Sequence, residues 1–224
     1  MQNQEILSKL SECVEFGKVN KAAPYPPAMK DQDGADELTR QALDMGIEPN
    51  VILNEALIAA MDKVGEKFTQ KKIFVPQMLI SAKAMNAAME HLKPYFQSGQ
   101  VKRKGKMIIG TVSGDLHDIG KNLVAMIVEG AGWEIVDLGV DVNTAKFLDA
   151  IAAHPGAVVG LSALLTTTMG NMQKTVAEIH EKHPDVKLLI GGAPVNEDFC
   201  NEIGANAYAA GPQEAVSYLN SLVA

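Results

Sequence analysis

The chain has 224 residues, 47% of them hydrophobic, enough for one large domain or two small ones with cores of their own. Its formal net charge of −7 lacks the basic excess that a nucleic-acid surface needs, so no nucleic-acid partner is expected. Cys13 and Cys200 lie far apart with no Cys or His cluster, which argues against a zinc site and a disulfide framework.

The opening MQNQEILSKL has neither the charged start nor the apolar stretch of an export signal, and no run approaches the ~18 apolar residues of a membrane span. A cytoplasmic protein with no membrane contact is expected. From residue 1 to about 97 apolar positions recur at three and four, which predicts helices near 4–16, 35–45, 49–69 and 75–93. Pro49 and Pro76 suit the first turns of the third and fourth, and Pro94 is expected to stop the last. Four such helices make a bundle. The segment from Lys18 to Asp33, with Pro24, Pro26 and Pro27, reads as an ordered or semi-ordered loop. The 11 methionines suit core packing.

Val101-Lys-Arg-Lys-Gly-Lys106 reads as a solvated linker, placing a boundary at 98–106 between a helical domain at 1–97 and a second domain at 107–224. There the pattern changes. Short β-rich runs near 107–112, 134–139, 157–162, 187–191 and 206–210 each precede a helical stretch, which predicts a five-stranded parallel sheet covered on both faces. In such a sheet ligands bind beyond the carboxyl ends of the strands; with a flavodoxin-like order 2-1-3-4-5 the crevice lies between strands one and three.

The unusual residues gather at those ends. Gly114-Asp-Leu-His-Asp-Ile-Gly120 follows strand one, Ser162-Ala-Leu-Leu-Thr-Thr-Thr168 follows strand three, and Gly191-Gly-Ala-Pro194 follows strand four. A phosphate or flavin loop would use glycines and backbone amides, but His117 puts a bulky side chain where the anion should approach. A phospho-accepting receiver would need an aspartate where Ser162 stands and a lysine where Gly211 stands. A zinc or iron site would need three or four protein ligands, and only one convincing histidine is present. A lone turn histidine is most often structural, held by a backbone carbonyl. Asp115 alters that balance, because a carboxylate accepting the Nδ1 proton leaves Nε2 free and more basic toward a metal. One protein ligand suffices if a macrocycle supplies the rest.

The ordered set Asp115-x-His117-x-x-Gly120, Ser162-x-Leu164 and Gly191-Gly192 resembles the cobalamin-binding signature. The segment from Asn54 to Phe68, followed by Lys72-Ile-Phe-Val-Pro-Gln77, resembles the helical cap that precedes the cobalamin domain in methionine synthase and in small corrinoid proteins of methyltransferase systems. The Pro-rich insertion departs from the minimal family pattern. The resemblance implies an all-α cap, a four-helix bundle, followed by a Rossmann-like α/β cobalamin-binding domain. It implies cobalamin or a related corrinoid as cofactor, alternating between cob(I)alamin and methylcobalamin. His117 is then the lower axial cobalt ligand, Asp115 holds its Nδ1–H, and Thr168 is the hydroxyl that bonds the aspartate; these three carry the chemistry. Leu116, Asp118 and Ile119 belong to the same loop. Gly114, Gly120, Ser162, Leu164, Thr166, Gly191, Gly192 and Gly211 would accommodate the displaced nucleotide tail. Asn54, Phe68 and Val75 match cap positions over the methyl-bearing face.

The function implied is a methyl carrier. It would accept a methyl group from a substrate-specific methyltransferase acting on methanol, a methylamine, a betaine or a methoxylated aromatic. A second methyltransferase, using tetrahydrofolate or coenzyme M, would receive it, and a reductive activase would maintain the cofactor. The alternatives are a cobalamin-dependent sensor or photoreceptor with the same bundle-plus-sheet body, and a structural or regulatory flavodoxin-like protein that binds no corrinoid.

Overall fold

The structure, a computed structural model, describes residues 2–98 and 101–223. It divides into two compact units, one running to Arg103 with Gly130–Gly132, the other comprising Lys104–Glu129 and Trp133–Ala224.

The first unit holds α1 (Gln2–Phe16), α2 (Ala35–Asp44), α3 (residues 49–69) and α4 (Val75–Gln97). Their apolar stripes meet in a core built on Leu10, Val14, Ala42, Leu57, Met61, Val64, Met78, Met85 and Leu92, all buried. Within α3, Ile52–Ile58 is π-helical between α-helical segments Pro49–Val51 and Ala59–Thr69. Ile52, Leu53, Ala56 and Leu57 keep the 3.6-residue spacing of one buried face, and Ile58 is buried beyond it. The expected stop at Pro94 is corrected, since α4 continues to Gln97. Proline removes only its own N–H from the ladder, and its carbonyl still accepts from the Ser98 N–H at 3.0 Å.

The Pro-rich segment is tied down. Lys18 is fully buried, and its ammonium donates to the Ala23 carbonyl at 2.7 Å. Glu37, in the first turn of α2, accepts from the backbone N–H groups of Gly34 and Lys21. The expected solvated linker is also corrected in part: Val101 is buried with its N–H on the Tyr95 carbonyl, and Lys106 already opens a strand. Residues 99 and 100 of that linker lie outside the described residues.

The second unit alternates strand and helix: β1 (Lys106–Thr111), α5 (Ile119–Gly130), β2 (Glu134–Asp137), α6 (Thr144–Ala153), β3 (Val158–Ser162), α7 (Thr166–Lys182), β4 (Leu188–Gly191), α8 (Glu197–Ile203), β5 (Ala207–Ala209) and α9 (Pro212–Ser221). All strands run parallel in the order β2-β1-β3-β4-β5, so the sheet changes direction between β1 and β3. Continuous apolar runs such as Met107-Ile-Ile109 and Val158-Val159 are buried, as both-sided cover requires. Among the described residues no helix is long and apolar enough to cross a membrane.

The turn after β4 depends on a glycine. Gly192 has φ +126°, and a Cβ built there would lie 1.8 Å from the Ala163 carbonyl oxygen. Neither that dihedral nor that contact tolerates a side chain. Gly192→Ala is expected to cost more than roughly 3 kcal/mol in urea unfolding, or to prevent folding altogether. An unfolding midpoint within error of the unsubstituted protein would contradict this account of the turn.

Candidate functional site

Between the end of β1 and the start of α5 the chain makes a seven-residue turn at the carboxyl edge of the sheet. Asp115 points inward from it and is fully buried, while the His117 side chain is 51% exposed. Five donors converge on the carboxylate. Oδ1 accepts from His117 Nδ1 at 2.7 Å and from the His117 N–H at 3.1 Å. Oδ2 accepts from the N–H groups of Leu164 at 2.7 Å and Leu165 at 3.2 Å, and from Thr168 Oγ1 at 2.9 Å. Thr168 is buried, and its hydroxyl also lies 2.8 Å from the Leu165 carbonyl, so its single proton serves one acceptor at a time.

Burial by itself would push the Asp115 pKa up. The Leu164 N–H, the His117 ring and N–H, and the Thr168 hydroxyl oppose it, and together they hold the carboxyl well below the usual carboxylate range. An ionised Asp115 places the imidazole proton on Nδ1 and leaves Nε2 as the acceptor. The His117 carbonyl is fixed as well, accepting from the Thr111 hydroxyl at 2.9 Å.

The other expected residues line the same edge. Ser162 ends β3, and its carbonyl accepts from the Val112 N–H. Leu164 is 42% exposed, Thr166 opens α7, and Gly191 ends β4 with its carbonyl on the Ala163 N–H. Gly211 precedes α9. Gly114 takes φ +82°, which requires glycine-like freedom, and Gly120 faces open space. Asp118 lies just before α5, its carboxylate accepting from Asn122 Nδ2. Leu116 and Ile119 are 72% and 79% exposed, and Leu165 adds a further half-exposed apolar side chain. An apolar rim of this kind around a half-exposed imidazole is a surface made for contact rather than for water.

Within the helical unit Asn54 is exposed on the π-helical segment, its Nδ2 donating to the Asn50 carbonyl at 2.7 Å. Phe68 and Val75 are half-buried, unlike Met61 and Val64 of the Phe68 stripe, which are core. Three site contributors escaped the sequence pattern: Leu165, whose backbone serves Asp115; Asn171, whose Nδ2 donates to the Ser113 carbonyl; and Asp141, which accepts from the Gly114 N–H at 2.7 Å. Leu165 could have been found as the neighbour of Leu164; the other two carry no local signal.

Among the described residues no cluster of three or more His, Cys, Asp or Glu could hold a metal ion. A metal at His117 must therefore bring its remaining ligands, as a macrocycle does, and the apolar rim and the glycine-lined strand ends suit a large, partly apolar ring with a tail. The residues fit such a group. Fold and site together define a parallel-sheet domain that presents one carboxylate-held, half-exposed imidazole at the point where its strand order reverses.

Comparison with known families agrees. Residues 105–217 match the B12 binding domain, and residues 30–93 match a second family of the same description. The chain belongs to the B12-binding family, and its cofactor is a corrinoid. It is 36% identical over 197 residues to trimethylamine corrinoid protein 1 of Methanosarcina acetivorans, covering 86% of this chain and 91% of that one. Monomethylamine corrinoid protein 2 of the same organism is 37% identical over 221 residues, covering 96% of both. Among solved structures, the methanol:cobalamin methyltransferase complex of Methanosarcina barkeri superposes with a TM-score of 0.82 at 26% identity, over 98% of this chain and 80% of that one.

Asp115→Ala strands the backbone N–H groups of His117, Leu164 and Leu165, which should cost roughly 3 kcal/mol. Because the folded pKa lies below the unfolded value of about 3.9, the stabilisation from Asp115 is present in full above about pH 5 and is lost as pH falls below 4. By pH 3 that loss should reach roughly 1 kcal/mol. Urea midpoints measured from pH 7 to pH 3 should therefore fall further for the native sequence than for Asp115→Ala; parallel curves would contradict the ionised, hydrogen-bonded carboxylate.

Proposed function

We propose that the chain is a methyl-carrier corrinoid protein of a methyltransferase system, with His117 as the lower axial cobalt ligand. The observation that carries the reading is the buried Asp115 carboxylate accepting the Nδ1–H of a half-exposed imidazole at 2.7 Å. When bound, the corrinoid supplies the cobalt that takes up and releases the methyl group.

The chain's own residues set the conditions for that exchange. Asp115, kept ionised, accepts the Nδ1 proton and so strengthens Nε2 as a donor. Thr168 modulates the pair, since turning its proton from Asp115 Oδ2 to the Leu165 carbonyl withdraws one hydrogen bond from the carboxylate. Leu116, Ile119, Leu164 and Leu165 exclude water around the ligand nitrogen. Ser162, Thr166, Gly114, Gly120, Gly191, Gly192 and Gly211 accommodate the nucleotide tail through small side chains and accessible backbone.

The partner is a substrate-specific methyltransferase. A methylated amine is the donor we favour, because the relatives at 36% and 37% identity carry the names of trimethylamine and monomethylamine corrinoid proteins. A second methyltransferase, acting on tetrahydrofolate or coenzyme M, takes the methyl group onward, and a reductive activase restores the cofactor after oxidation.

Reconstitution with hydroxocobalamin should give uptake of one corrinoid per chain. The cobalt(II) EPR spectrum should show splitting from a protein nitrogen that disappears in His117→Ala; persistence of that splitting in the variant would remove the axial assignment. Given purified methylamine:corrinoid and methanol:corrinoid methyltransferases in separate assays, the reduced protein should be methylated from a methylamine and not from methanol. Methylation from methanol alone would reassign the donor while leaving the carrier role intact.

A further inference from the structure

The loop that carries His117 is clasped from a direction the signature motifs do not include. The connection between β2 and α6 runs beside it, bridged by Val112 and Val142 and by a bond from the Val142 N–H to the Thr111 carbonyl. In that connection Asp141 takes φ +51°, a left-handed conformation that side-chain-bearing residues seldom adopt and that Asn and Asp tolerate best. Its Oδ1 accepts from the Gly114 N–H at 2.7 Å and from the Ser113 hydroxyl at 3.3 Å. Its own N–H donates to the Asp115 carbonyl at 3.0 Å. All three bonds go to residues 113–115, the segment immediately before the histidine. None goes to its own connection.

We propose that Asp141 is a positioning residue that sets where His117 stands relative to the corrinoid, by holding the backbone of Gly114 and Asp115. The inference rests on the axial role of His117 proposed above. Asp115 fixes the ring through its carboxylate, but that carboxylate can be no better placed than the backbone that carries it. Gly114, at φ +82°, is a soft point in the chain, and a glycine in that conformation stays where its neighbours hold it. Asp141 supplies the hold on the N–H side, while Asn171 Nδ2 holds the Ser113 carbonyl at 2.8 Å from α7. Beyond the histidine, Lys121 in α5 is almost wholly buried and donates to both oxygens of Asp137 at the end of β2, at 2.7 and 2.6 Å. The β2 side thus grips the histidine turn before and after the ligand. A nitrogen that must meet a metal at bonding distance has little tolerance for drift, so a brace acting only on backbone still reaches the metal.

The Asp141 carboxylate is exposed, so its removal should leave the fold largely intact. The informative substitution is Asp141→Gly, which removes the acceptor and suits φ +51° without strain. Asp141→Asn keeps an oxygen for the Gly114 N–H and tolerates the same backbone. Each protein is reconstituted with hydroxocobalamin and reduced to cobalt(II), and the fraction of the EPR signal split by a protein nitrogen is measured beside the thermal midpoint. The native chain should show the splitting. Asp141→Gly should lose it by roughly tenfold at a nearly unchanged midpoint, and Asp141→Asn should restore it. An unchanged nitrogen fraction in Asp141→Gly overturns the inference, as does a loss matched by equal destabilisation in both variants. Absence of the splitting in the native chain would instead refute the axial role of His117.

Discussion

A carboxylate out of reach of water is tolerated only when its charge is answered, and Asp115 is answered five times over. The donors come from two separate places in the chain: the histidine turn after β1 and the first turn into α7 after β3. Asp115 therefore joins the two strands between which the sheet changes direction. The imidazole is one of the five donors, so its orientation is a by-product of satisfying a buried charge. This couples the site to folding: the arrangement that presents Nε2 is the one in which the buried carboxylate has all its partners.

The helical unit shows a similar economy with a lysine. Lys18 lies at the root of the Pro-rich insertion, and its buried ammonium is met by the carbonyls of Ala23 at 2.7 Å and Lys21 at 3.5 Å. The N–H groups of Ala35 and Asp36 then donate to the carbonyls of Lys18 and Val19, closing the insertion against the start of α2. The Pro-rich segment is consequently an ordered part of the bundle wall, with Gly34 pressed so close to Asn20 that a Cβ would lie 2.5 Å from its backbone nitrogen.

Much of this was legible in the sequence, for identifiable reasons. The alternation of strands with amphipathic helices is written in short continuous apolar runs and a 3.6-residue period, and a parallel sheet with one histidine turn leaves few arrangements open. The strand order found is the flavodoxin-like one that places the crevice between β1 and β3, and the meeting of Asp115, His117 and Thr168 at one edge was implied by the resemblance to the cobalamin-binding signature. Local rules failed where tertiary contacts decide. α4 passes through Pro94 because the following turn keeps its own bonds, and Val101 is packed despite its basic neighbours. Asp141 and Asn171 were invisible because their partners are backbone groups about thirty and sixty residues away, and Leu165 because it serves through its N–H rather than its side chain.

The apolar rim at the sheet edge has a price in the life of the polypeptide. Leu116 and Ile119 hold most of their surface in water, a state that favours clumping with neighbouring copies until something greasy and flat covers them. If the corrinoid seats over this rim as proposed, copies synthesised ahead of the cofactor are the ones prone to associate.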